Sequence, residues 1–152
     1  MMLRTLLDGL TPDPVAGSGG LRAWDAADLY LLDTAVPLLV DSPAVVVIDD
    51  IAGALALGAH LLGAGNVRVH QDSLVARRSL ELNRLAMLPD AVIGHASLAD
   101  AATSDVLLAL VRLPRSLDRL DDIAGALAAR LPLDAVLIAG NMYKHMTSAQ
   151  NE

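Results

Sequence analysis

The side chains that could do chemistry in this sequence are few. They are the carboxylates of Asp49, Asp50 and Asp72, the run Arg112, Leu113, Pro114, Arg115, and the pair Lys144 and His145. Asp49 and Asp50 follow an aliphatic run, and one glycine, Gly53, stands in the turn beyond them. A turn that receives a phosphate or an adenosine needs glycines, because a bare backbone lets the ligand approach closely. No G-x-G-x-x-G follows that run, and the GAGNVR of residues 63–68 lies ahead of a strand, where it reads as the closing turn of a helix. Asp49, Asp50 and Asp72 are equally suited to capping the helices after them, a role worth about 1 kcal/mol each. Arg77 and Arg84 share one helix face, and Arg115 and Arg119 form an i,i+4 pair. A solvated face is the ordinary meaning of such pairs, with RNA contact as the alternative.

Other chemistries find less support. His60, His70, His95 and His145 have no close ligand spacing, so no metal site is expected. Ser73 and Ser97 lack a G-x-S-x-G elbow, which leaves hydrolase chemistry without a nucleophile. With no cysteine, disulfides, thiolate nucleophiles and Cys-based zinc sites are excluded. Lys144 and His145, just past the last strand, are the remaining polar candidates.

The elements that must position these residues alternate. The segment RAWDAADLYLLDTAVPLL reads as a helix that Pro37 ends or kinks. Strands are expected at 44–48, 66–70, 91–95, 105–111 and 134–140, with helices after the first, second and fourth. Ser73 or Asp72 would cap the second of these helices and Ser116 the last. The β-branched run at 44–48 suits a strand buried on both faces. Strands alternating with helices, joined by right-handed crossovers, imply an α/β fold: a doubly wound, mostly parallel five-stranded sheet with helices on both faces. Ligands in such sheets lie beyond the carboxyl ends of the strands, which is why Asp49 to Gly53, Asp72, Arg112 to Arg115 and Gly140 to His145 matter. The octapeptide DDIAGALA occurs at Asp49 and again at Asp121, a coincidence of an Ala- and Leu-rich composition.

Length and charge set outer bounds. The 152 residues suit one domain, 54% hydrophobic and without phenylalanine, whose core must therefore be aliphatic. We divide the chain into an N-terminal segment with a Pro/Gly-rich loop (1–20) and a domain (21–152). A formal net charge of -7 repels phosphate overall and weighs against the chain being the main grip on a nucleic acid. The uncharged stretch 51–67 is short of the roughly 20 apolar residues of a membrane span, and the first residues lack the apolar core of a signal peptide. A cytoplasmic protein without a membrane partner is expected.

Five segments taken together add a resemblance. LRAWDAADLYLL (21–32), VVIDDIAGALAL (46–57), QDSLVARRSLELN (71–83), ALVRLPRSLDRL (109–120) and LIAGNMYKHMT (137–147) follow one another as landmarks of one domain. In order and spacing the chain resembles the N-terminal, degenerate methyltransferase-like domain of bacterial ribosomal RNA guanine-N2 methyltransferases. The resemblance implies a methyltransferase-like, Rossmann-type fold. It also implies a separate C-terminal catalytic domain as partner, which binds S-adenosylmethionine, while this copy supports its folding or helps place the RNA, touching ribosomal RNA only indirectly. An active copy would carry D/E-x-G-x-G-x-G where Asp49, Asp50, Ile51, Ala52 and Gly53 stand. It would carry Asn-Pro-Pro-aromatic where Arg112, Leu113, Pro114 and Arg115 stand. Asp72 matches the acid that would bind the cofactor ribose. No catalytic residue is expected, and Asp49, Asp50, Gly53, Asp72, Arg112, Pro114 and Lys144 are the candidate remnants of a decayed pocket. Such a domain would continue past its fifth strand, so the resemblance also implies truncation there, an open sheet edge and a homodimer or swapped contact through it. Two alternatives stay open: a working S-adenosylmethionine-binding methyltransferase, and an unrelated nucleotide-binding or interaction domain of the same fold.

Overall fold

The computed structural model describes residues 1–12 and 22–142. Lys144, His145 and most of the Pro/Gly-rich loop that ends the 1–20 segment lie outside the described residues. In chain order the elements are α1 (Leu3–Gly9), α2 (Ala26–Ala35), a 3-10 turn (Val36–Leu38), β1 (Ala44–Ile48), α3 (Ala54–Leu61), β2 (Asn66–His70), α4 (Leu74–Met87), β3 (Ile93–His95), α5 (Leu98–Ala101), β4 (Val106–Arg112), α6 (Leu117–Arg130) and β5 (Val136–Gly140).

The five strands form one sheet in the order β3-β2-β1-β4-β5, and every pairing is parallel. Strand order reverses beside β1: the chain first steps outward to β2 and β3, then crosses to β4 and β5. Alternation along the strands divides two cores. Val45, Val47, Val67, Val69, Leu108 and Leu110 pack with Leu31 and Leu32 of α2, Leu55 and Leu57 of α3, and Leu80 of α4. Val46, Ile48, Val106, Ala109 and Val111 pack on the other face with Ala101 of α5 and with Ile123 and Leu127 of α6. Helices therefore cover both faces, as the alternating pattern predicts. Among the described residues no helix is long and apolar enough to cross a membrane.

Local chemistry sets the helix ends. The helix read from Arg22 starts instead at Ala26, because Asp25 caps it: its carboxylate accepts from the Ala27 and Asp28 amides while Asp28 accepts from the Asp25 amide. The helix closes at Ala35, with Pro37 in the 3-10 turn. Ser73 and Ser116 cap α4 and α6 as expected, accepting from Ala76 and Arg119 amides. Two elements escape the sequence pattern, α1 and the four-residue α5. Leu6 and Leu7 of α1 are fully buried in the α2–α3 core.

Candidate functional site

The turn after β1 is the position a cofactor would need. Asp49 adopts φ 64 and Gly53 φ 96, both in the left-handed region. Asp50 turns inward, 1% exposed, and accepts from the amides of Leu55 at 3.3 Å and Ala56 at 2.8 Å. It thereby satisfies the start of α3, whose first flanking residue, Gly53, has no side chain to do so. Burial pushes the Asp50 carboxyl up to about 7; the Ala56 amide opposes that shift and the charge of Asp28 adds to it. Behind the turn, buried Asn83 of α4 donates to the Ala52 carbonyl and the Thr11 carbonyl, each at 2.8 Å, and accepts from the Thr11 amide at 3.0 Å. A Cβ on Gly53 would sit 3.1 Å from Leu57 Cδ1 and 3.2 Å from Leu80 Cγ, so close packing as well as φ holds glycine here.

In front of the turn stands Arg119, near the start of α6. Its Nε donates to Asp49 Oδ2 at 3.0 Å and its Nη2 to Asp49 Oδ1 at 2.6 Å, while Nη1 reaches Asp72 Oδ2 at 2.5 Å. One guanidinium thus joins the carboxylates that follow β1 and β2. The bond to Asp49, against some burial, raises the pKa of Arg119 above its ordinary value. Asp72 Oδ1 also lies 3.3 Å from His70 Nε2.

A second arginine closes the neighbouring end of the sheet. Arg112, the last residue of β4 and 5% exposed, donates from Nη1 to Asp25 at 2.7 Å and Asp28 at 2.8 Å. From Nη2 it donates to Asp25 at 2.9 Å and Asn141 at 2.8 Å. Asn141 in turn donates to the Leu113 carbonyl at 2.9 Å, which ties the loop after β4 to that after β5. Burial resists ionisation of Asp25, but Arg112 outweighs it and holds that carboxyl below its usual range. At the deeper Asp28 burial prevails over Arg112 and the pKa rises. Removing one member of such a buried set costs about 3–5 kcal/mol, since the others keep unpaired charge. Beside Arg112 and Asp49 lies a cavity of about 310 Å³, lined also by Asp25, Ile51, Leu113, Pro114, Arg115 and Asn141.

The structure gathers Asp49, Asp50, Gly53, Asp72, Arg112 and Pro114 at one end of the sheet, but it redistributes their roles. Asp50 caps a helix, whereas Asp49 and Asp72 do not; each is bound by Arg119. Arg115 and Arg119 are not a helical pair, because α6 begins only at Leu117. Arg84 does not face solvent freely either: it donates to Glu81 and to the Pro89 and Ala91 carbonyls. Asp25, Asn83 and Asn141 went unrecognised. Asp25 had a usable signal, an acidic residue three before Asp28 at the head of a helical pattern. The partners of Asn83 and Asn141 are set by tertiary contacts and leave no such mark. Among the described residues no three His, Asp or Glu side chains converge as metal ligands would.

Residues 12–152 match the RLMG N-terminal domain family. The chain is 36% identical over 129 residues to the ribosomal RNA large subunit methyltransferase G of Pseudomonas syringae, covering 83% of this chain and 34% of that protein. It is 30% identical over 128 residues to the protein of the same name from Yersinia enterocolitica, covering 84% of this chain and 32% of that one. The chain thus spans about a third of the length of these relatives. Among solved structures it is similar to a 16S rRNA N2 methyltransferase of T. thermophilus in complex with AdoMet and guanosine, with TM-score 0.66 and 22% identity over 84% of this chain and 37% of that one. It is also similar to a SAM-dependent methyltransferase of Agrobacterium tumefaciens, with TM-score 0.63 and 17% identity over 80% of this chain and 47% of the other. At these identities the likeness is one of fold.

Proposed function

Because the chain belongs to the RLMG N-terminal domain family, we propose that it is the non-catalytic domain of a large-subunit rRNA methyltransferase. In this reading it supports the folding of a catalytic domain elsewhere in the longer protein, or places the rRNA against it. The observation that carries the proposal is Arg119 lying across Asp49 and Asp72. In an open parallel sheet the ligand site lies beyond the strands' carboxyl ends where strand order reverses, and that is where this guanidinium sits. Carboxylates already paired with arginine have little to offer ribose hydroxyls.

The adjoining residues agree. The turn holds Ile51 and Ala52 where glycines would admit a ligand, and Asn83 fixes the Ala52 carbonyl from behind. Arg112, in the place of an amine-orienting asparagine, has both terminal nitrogens engaged by Asp25, Asp28 and Asn141. These residues do not fit S-adenosylmethionine, and no methyl-transfer step is assigned to them. The cofactor then belongs to the catalytic domain, which is the partner of this one. Contact with rRNA is indirect, and a cytoplasmic location accords with that substrate.

Methyl transfer by the chain alone is the direct test. Incubated with tritiated S-adenosylmethionine and protein-free large-subunit rRNA, it should leave the RNA unlabelled. Label transferred to the rRNA would overturn the proposal in favour of a working methyltransferase domain.

A further inference from the structure

Asn83 lies in the interior of α4, where asparagine is a poor helix former and is ordinarily exposed. Here it is 2% exposed and sits on the buried side of the helix with Ser79 and Leu80. Its side-chain amide can donate two hydrogen bonds and accept two, and all four are made to only two residues. Nδ2 donates to the carbonyls of Thr11 and Ala52, each at 2.8 Å. Oδ1 accepts from the Thr11 amide at 3.0 Å and from the Thr11 hydroxyl at 3.3 Å.

Those two residues belong to separate parts of the molecule. Thr11 follows α1, which precedes residues 12–152, the part of the chain that matches the family. Ala52 is fully buried in the turn after β1, between Asp50, which holds the start of α3, and left-handed Gly53. The other contacts of α1 are apolar: Leu3 lies against Gly58 of α3, and Gly9 against Met87 of α4. Apolar contact is non-directional, whereas a buried amide stripped of its partners keeps its full desolvation cost. If α1 leaves and takes Thr11 with it, Asn83 loses three of its four bonds. Its amide must then turn toward water, which releases the fourth, to Ala52. We propose that Asn83 couples the docking of α1 to the closed shape of the turn after β1, so that the two open together as one cooperative unit. The N-terminal helix is thereby a handle on the ligand end of the sheet, and whatever displaces it loosens that turn. This coupling stands independently of the non-catalytic role proposed above.

Amide hydrogen exchange of the whole chain, read by NMR, tests it. Leu6 reports on α1, Leu55 and Ala56 on the turn that Asp50 holds, and the β4 amides on global unfolding. Leu3→Ala weakens the seat of α1. It should speed exchange at Leu6, Leu55 and Ala56 by a common factor of about ten beyond any change in β4. With Asn83→Ala, Leu55 and Ala56 should exchange fast from the outset, and adding Leu3→Ala should then speed Leu6 alone. Asn83→Leu fills the same space without the hydrogen bonds and should behave in the same way, which separates loss of the bonds from creation of a cavity. The proposal is overturned if Leu3→Ala speeds Leu6 while Leu55 and Ala56 stay in step with β4, a result that needs no Asn83 variant. It is equally overturned if Leu3→Ala still speeds Leu55 and Ala56 in both Asn83 backgrounds, since the coupling then runs through the apolar core.

Discussion

Asp50 is the residue whose chemistry is most displaced by its surroundings. Its carboxyl is pushed up to about 7, so the folded state holds a proton that the unfolded chain, with an ordinary aspartate near 3.8, has released. A raised carboxylate pKa gives stability that is complete in acid and drains away as pH rises from about 4 to about 7, at up to roughly 1.4 kcal/mol per pH unit. Asp50→Asn removes the titrating group while keeping an oxygen for the Ala56 amide. In urea unfolding at a series of pH values, the stability of Asp50→Asn relative to wild type should grow between pH 4 and 7 and level off above; a constant difference would contradict the assignment. At this scale the sequence was only half legible. Asp49, Asp50 and Asp72 look alike as helix-capping acids, and what separates them is Arg119, 70 positions beyond Asp49. No local pattern announces a partner at that distance.

Elements were legible where their signal is periodic and hidden where it depends on context. The β-branched run 44–48 is the strand the sequence predicts, because Val and Ile fit a strand buried on both faces and little else. The octapeptide DDIAGALA shows the opposite case. Its first copy spans the turn from β1 into α3, with glycine at φ 96, and its second lies in α6, where a Cβ on Gly125 would touch nothing within 4 Å. The same eight residues thus adopt two structures, decided by what packs around them. α1 was missed for a related reason: seven residues carry too little periodicity to stand out. Its two leucines nevertheless reach the main core, and Gly9 lies so close to Met87 of α4 that a Cβ would fall 2.4 Å from its terminal carbon. Leu7→Ala should therefore destabilise the chain by about 2–5 kcal/mol, as a core truncation does, and not by the few tenths expected of a frayed terminus. Thermal unfolding followed by circular dichroism distinguishes the two.

At the scale of the whole molecule, the alternation of strands and helices was enough to specify a parallel, doubly wound sheet, since handedness and layer rules leave few other arrangements. The same rules locate the ligand end of the sheet. They do not say whether that end is still open to a ligand. At that end Arg119 binds Asp49 and Asp72, and Arg112 binds Asp25 and Asp28; on the function proposed above, these pairings leave no place for a cofactor. The net charge of -7 is spent largely on exposed carboxylates, while Asp25, Asp28 and Asp49 are tied to Arg112 and Arg119. Calorimetric titration of S-adenosylmethionine into the chain measures the consequence directly. No heat of binding should appear up to millimolar cofactor; saturable binding in the micromolar range would contradict the account.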